Sequence, residues 1–200
     1  MDRKILGEVY RYWFGSLAGP DDFPKEKAGI WFTRSDETDR FIRDTFGAFI
    51  PEAANAAWNH ADMTREEQIA LVVMLDQFPR NIFRTSGEAF AYDAKARSIA
   101  RDLIEGGWRR FFVVEQGFLF LPLQHSEDVA DQDYGVQLFA ECARAAPDSL
   151  KETCRLGLDY ATKHRDLIRK FRRFPHRNSM LGRPSTPEEE KFLKEHGRGF

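Results

Sequence analysis

Thr64-Arg65-Glu66-Glu67-Gln68-Ile69-Ala70-Leu71-Val72-Val73-Met74-Leu75-Asp76-Gln77-Phe78-Pro79-Arg80-Asn81 is the stretch on which the fold turns. Thr64 and Glu67 have the spacing of a capping box, in which each side chain satisfies a backbone N–H that the first helical turn leaves unpaired. The uncharged run Ile69 to Leu75 behind it suits a helix buried on most sides rather than an amphipathic surface helix. Pro79 has no N–H and disfavours the α region for the residue before it, so the helix is expected to stop at Phe78 and leave Arg80 and Asn81 on a turn. A related turn, Phe174-Pro175-His176-Arg177-Asn178, closes a long helical pattern near the other end of the chain.

Outward from this stretch the pattern stays helical. Ile5, Leu6, Val9, Tyr10, Trp13 and Phe14 recur at three- and four-residue spacing until Gly15. A helix is expected from Ser35 or Asp36, with Phe41, Ile42, Phe46 and Phe49 on one face. Pro51 then either kinks it or starts another helix reaching Trp58. Ala89 to Glu105 reads as a helix closed by Gly106-Gly107, with Phe90, Ala94, Ile99, Leu103 and Ile104 inward. Trp108 to Leu123 carries both strand and helix signals, and the helical surroundings favour short helix. Ser126 is expected to cap a helix to Ala146 with Glu127 and Asp128 in its first turn. Pro147-Asp148 opens a long helix to about Arg173. Thr186, Pro187 and Glu189 supply the N-cap, first and third positions of a last helix, before a Gly197-Arg198-Gly199 tail. The expectation is one all-α domain over residues 1–200.

Bulk properties narrow the class. Hydrophobic residues make up 42% of the 200 and aromatics 14%, enough for a sizeable dry core. A net charge of −2 does not describe a polyanion binder. The local exception is Lys163 to Arg183, with eight Lys or Arg and one acid, Asp166. Asp159–Lys163 and Asp166–Lys170 there have the spacing of helical ion pairs. Cys142 and Cys154 have neither C-x-x-C spacing nor companions for a zinc site and read as reduced core residues. No apolar run approaches the roughly 20 residues that cross a bilayer, and Met1-Asp2-Arg3-Lys4 does not open a signal peptide. The expected setting is cytoplasmic and soluble, without membrane partners.

The chemistry available lies in three polar segments. Each Phe-Pro turn places an Arg, whose planar fork suits carboxylate or phosphate, beside an Asn at a helix end. The same side chains could instead cap orphaned helix carbonyls. The second turn adds His176 and is followed by Leu181-Gly182-Arg183. The third segment, Gln124-His125-Ser126-Glu127-Asp128, sets a histidine beside a helix N-terminus, where its neutral form is favoured. The candidate ligand-binding residues are therefore Arg80, Asn81, Arg177, Asn178 and Arg183, and the candidate acid–base residues are His125, Glu127 and His176. His125, Glu127, His164 and His176 include metal-ligand types but lack H-E-x-x-H or paired-histidine spacing, so no metal is expected. No phosphate loop, dinucleotide fingerprint or nucleophile elbow occurs, and no cofactor is called for.

Tyr12-Trp13-Phe14-Gly15, Trp31-Phe32, Asp76 through Arg84, Leu121-Pro122-Leu123-Gln124-His125-Ser126-Glu127, and Phe174 through Asn178 with Leu181-Gly182-Arg183, in that order, closely resemble the uncharacterised bacterial family catalogued as domain of unknown function 924. The resemblance spans nearly the whole chain. It implies a tetratricopeptide-like right-handed array of about seven to nine stacked antiparallel helices and no established activity. The family pattern usually reads Phe-Gly-Arg-Phe-Pro-His-Arg-Asn, whereas Arg172 replaces that Gly here. A Gly there would serve close helix approach or leave room for a ligand.

The leading functional expectation is a pocket for a small anionic or polar molecule where the three segments meet. A helical groove holding a protein or peptide partner is the second reading. Nucleic acid bound through residues 163–183 is the third and is disfavoured, because Phe171 and Phe174 fit a core better than base stacking.

Overall fold

The computed structural model describes residues 2–197; the rest of the expected C-terminal tail lies outside the described residues. Those residues form helices and turns with no strand. The α-helices in chain order are α1 Lys4–Phe14, α2 Ala28–Phe32, α3 Asp36–Phe46, α4 Phe49–Asn55, α5 Arg65–Asp76, α6 Phe78–Ile82, α7 Asp93–Glu105, α8 Val113–Gln124, α9 Val129–Ala145, α10 Lys151–Phe171 and α11 Pro187–His196. Nine of these run seven residues or longer, in line with the expected number of stacked helices.

Helix α5 is the centre. Gln68 through Asp76 are all buried, and α1, α4, α6, α7 and α8 pack around them. The Thr64–Glu67 capping box forms at its start. Helix α9 packs between α8 and α10. A second, small cluster of Leu167, Ile168 and Phe174 anchors the C-terminal segment, with Phe171 and Phe192 against it. No helix is long and apolar enough to cross a membrane among the described residues.

Several local expectations need correction. Phe78-Pro79-Arg80-Asn81 is a turn of helix, α6, after a break at Gln77. Proline in the first turn of a helix removes only an N–H that has no partner there, so Pro79 restarts the helix rather than ending it. Pro51 likewise sits in the first turn of a separate helix, α4, which ends at Asn55 rather than Trp58. Asp128, not Ser126, caps α9 by accepting from the Ala130 N–H. Ser126 instead accepts from Asp128 N and donates to Asp131. Helix α7 begins at Asp93 behind a 3-10 turn, Gly87–Phe90, so Ala94 is exposed and Ala96 takes the inward place. Phe41 is 46% exposed but stacks on Tyr12 at 4.7 Å. In the basic stretch, Asp166 meets Arg165 and Lys170 meets Glu188, in place of the helical pairs read from spacing. Cys142 and Cys154 are buried free thiols with sulfurs 3.6 Å apart.

The end of α10 accounts for the Gly-to-Arg departure. Arg172 terminates the helix with φ 63°, the only positive φ outside glycine among the described residues. A side chain in that left-handed region costs roughly 1–2 kcal/mol that glycine does not incur. The position requires backbone freedom, not space. Arg172→Gly is accordingly expected to raise the unfolding free energy by about 1 kcal/mol, read as a higher urea midpoint with unchanged slope.

Candidate functional site

The short helix α6, the end of α8, the C-terminal half of α10 and the 3-10 turn Pro175–Arg177 meet around a cleft of about 330 Å³. Arg80 comes from α6, His125 from the residue ending α8, His164 from α10, and His176 and Arg177 from the Phe-Pro turn. Three of the chain's five histidines thus face one space. Arg34, Arg84 and Phe90 complete much of the wall.

Arg80 is held in place on its inner side. Its Nη1 donates to the Asp76 carbonyl at 2.7 Å, and its fork engages Asp93 at 2.7 and 2.9 Å. The fork is fixed bidentately, the geometry guanidinium and carboxylate favour. Asp76, 1% exposed, also pairs with His125 Nδ1 at 2.8 Å. Burial alone would raise the Asp76 carboxyl. The His125 imidazole, the Arg80 guanidinium and the Gln77 amide outweigh it and hold the group well below the usual carboxylate range. An ionised Asp76 keeps the proton on His125 Nδ1, which leaves Nε2 as the basic nitrogen. Burial, then Arg80, lowers the His125 pKa, so the ring is neutral at pH 7.

Arg177 is placed differently. It is 6% exposed, with its guanidinium 4.5 Å from the Phe90 ring and 4.4 Å from the Phe174 ring. Its nearest carboxylate is Asp93 at 3.6 Å, too far for a hydrogen bond, and its buried Nε has no partner among the described residues. Burial, then the charge of Arg80, brings its pKa down to about 10, which still leaves it charged at neutral pH. His176 Nδ1 is also buried and without a partner among the described residues. Burial brings both His164 and His176 down to about 4, with Arg177 adding to the depression of each.

The remaining candidates bind the protein to itself. Asn81 donates to Asp39 at 2.9 Å, joining α6 to α3. Glu127 accepts both arms of Arg183, at 2.7 and 2.9 Å, and the Phe174 N–H at 2.8 Å. Asn178, 1% exposed, donates to Ser185 and Glu189 and accepts from Arg183. Glu189 in turn holds Arg173 and closes the Thr186 capping box, which is why its pKa drops to about 2, led by the Arg173 hydrogen bond. These contacts clamp the His176–Arg177 turn against α11 and the start of α9. They also consume Arg173 and Arg183 from the basic stretch, and Arg169 pairs with Asp133 at 2.6 Å. Among the described residues no group of three or more His, Cys, Asp or Glu is arranged to hold a metal.

Three contributors escaped the sequence reading. Asp76 and Asp93 are ordinary acids in helical patterns, and only the fold brings them to Arg80 and His125. The sequence offers His164 only as a metal-ligand type, with charged neighbours on α10 that suggest a solvated face.

Fold and cleft together define an all-helical protein with a cleft lined by arginines and neutral histidines. The chain belongs to the family described as bacterial protein of unknown function, DUF924, which it matches over residues 9–197. It is similar to the solved structure of a protein of unknown function from Agrobacterium tumefaciens, with 30% identity and a TM-score of 0.79, covering 96% of this chain and 98% of that one. No curated protein matches it.

Proposed function

We propose that the protein binds a small anionic molecule in this cleft, with Arg80 and Arg177 holding the negative charge and His125, oriented by Asp76, exchanging a proton with it. Arg177 carries the reading. A buried guanidinium normally has its N–H groups satisfied, because leaving a charge desolvated and unpaired costs several kcal/mol. Asp93 at 3.6 Å offsets part of the Arg177 charge, and Phe90 and Phe174 add cation–π attraction, but none of them accepts a hydrogen bond from its buried Nε. An anion in the cleft supplies acceptor oxygens to Arg177 and relieves its repulsion with Arg80. The fixed fork of Arg80 and the neutral His125 fit the same occupant, since a neutral imidazole can accept a proton that a charged one cannot.

Inorganic phosphate is a suitable first probe. At low ionic strength and pH 7, phosphate at 100 times its dissociation constant should stabilise the protein by about 2.7 kcal/mol, a rise of a few degrees in Tm. Arg177→Met keeps an unbranched side chain between the two rings and removes the charge. It should retain the helical circular dichroism spectrum and weaken phosphate binding at least tenfold, on the order of 1.5–3 kcal/mol for hydrogen bonds to a charged group. A folded Arg177→Met protein that binds phosphate like the parent would refute this assignment.

A further inference from the structure

A second pocket of about 750 Å³ opens beside the first, between α8, α10 and the aromatic residues around α2. Phe23, Trp31, Phe118, Leu121, Phe139 and Leu150 make its wall apolar. One feature of that wall has no packing explanation. Gly117 stands inside α8, and a Cβ built on it meets nothing within 4 Å. Glycine weakens a helix interior relative to alanine, and here neither a positive φ nor a close neighbour requires it; what it provides is open space. Gln124, 6% exposed, also lines the pocket and places a carboxamide on a largely apolar wall. An amide at that place offers one acceptor and two donor hydrogens to a bound molecule.

The two pockets lie along one track. Gly117, Leu121, Gln124 and His125 follow one another at helical spacing on α8 and its end; Cys154, Gly157, Tyr160 and His164 do so on α10. On both helices the earlier residues line the apolar pocket, and the last one, His125 or His164, lines the polar cleft. The distance from Cys154 to His164 along the helix axis is about 15 Å at 1.5 Å per residue. The two pockets, about 750 and 330 Å³, give together slightly less than the roughly 1,200 Å³ that an α-helix about 10 Å wide laid along that track would need, whereas an extended alkyl chain needs far less.

We propose that the ligand is an amphipathic anion: an alkyl or acyl chain in the apolar pocket, its phosphate or carboxylate head among Arg80, Arg177 and the histidines. This rests on the anion-binding reading of the cleft and adds the chemical class of the molecule. Gly117 leaves room for the chain, and Gln124 meets the polar atoms where chain and head join.

Titration calorimetry of the full chain with inorganic phosphate, and with dodecyl phosphate below its micellar concentration, separates the two claims. Dodecyl phosphate is expected to bind on the order of 100-fold more tightly than inorganic phosphate. Gly117→Leu places an isobutyl group in the open space while improving helix propensity, so the variant should fold and keep its affinity for inorganic phosphate. Its affinity for dodecyl phosphate should fall to within about threefold of that for inorganic phosphate. If phosphate binds and dodecyl phosphate binds no better, the chain-binding proposal is overturned and the anion site stands. If neither binds, the anion site fails and this proposal with it. Full retention of the dodecyl advantage in a folded Gly117→Leu protein would overturn the assignment to this pocket.

Discussion

Glu115→Ala should lower the unfolding free energy by about 3–5 kcal/mol, a large fraction of the roughly 5–15 kcal/mol that holds an ordinary domain folded. Glu115 is 0% exposed and ties three helices together. It accepts from the Tyr10 hydroxyl of α1, Arg65 Nη1 of α5 and the Phe112 N–H before α8, each at 2.7 Å. Alanine leaves all three donors without their acceptor, one of them a guanidinium seated 3.4 Å from the Phe112 ring centre. Burial raises the Glu115 pKa despite these donors, so the carboxylate is an expensive group to keep inside. The loss therefore comes from stranding its partners rather than from a large net gain of the pair. Glu115→Gln tests that distinction. Its carbonyl can take Arg65 and Phe112 while its amide donates to Tyr10, so it should lose about 1–2 kcal/mol in urea unfolding. A glutamine variant as unstable as the alanine variant would assign the effect to charge instead.

Such contacts also show what the sequence could and could not reveal. Thr64–Glu67 and Thr186–Glu189 were readable because a capping box is local, with donor and acceptor three residues apart. The buried character of α5 was readable from its unbroken apolar run. The Phe-Pro segments were harder, since one proline restarts a helix and the other opens a 3-10 turn after an extended Phe174; the dipeptide alone does not distinguish them. Arg172 shows the same limit, because the need for glycine became visible only as a φ of 63°. Of the candidate site residues, Arg80, His125, His176 and Arg177 face the cleft, while Asn81, Glu127, Asn178 and Arg183 spend their polar atoms on neighbours. Polar residues at turns read alike from sequence whether they face a ligand or another turn. What separates them here is pairing between residues tens of positions apart: Asp39 for Asn81, and Glu127 for Arg183. The apolar pocket left no mark in the residue pattern beyond a glycine inside a helix, because empty volume has no sequence signature.

The same long-range assembly predicts a pH response. His164 and His176 titrate near 4 in the folded protein, against about 6.5 in an unfolded chain. A depressed histidine means that the unfolded state binds protons more readily, so stability is fully present above pH 6.5 and is lost as pH falls toward 4. Between pH 7.5 and 5, where most carboxylates remain ionised, each histidine should remove about 2 kcal/mol. Together they should remove roughly 3–4 kcal/mol, because part of the His164 depression is repulsion from His176. Besides burial, the fixed charges that set the response are Arg177 at both rings, with Arg183 adding to it and Glu127 opposing it at His176. Urea unfolding at both pH values should show the drop, and a double variant, His164→Gln with His176→Gln, should flatten it. An anion in the cleft reverses the electrostatics that suppress protonation, so saturating phosphate should shrink the loss and bind more tightly at pH 5 than its own titration accounts for. A parent protein equally stable at pH 7.5 and 5 would mean that these rings are solvated, and that the cleft is not the cationic space its lining describes.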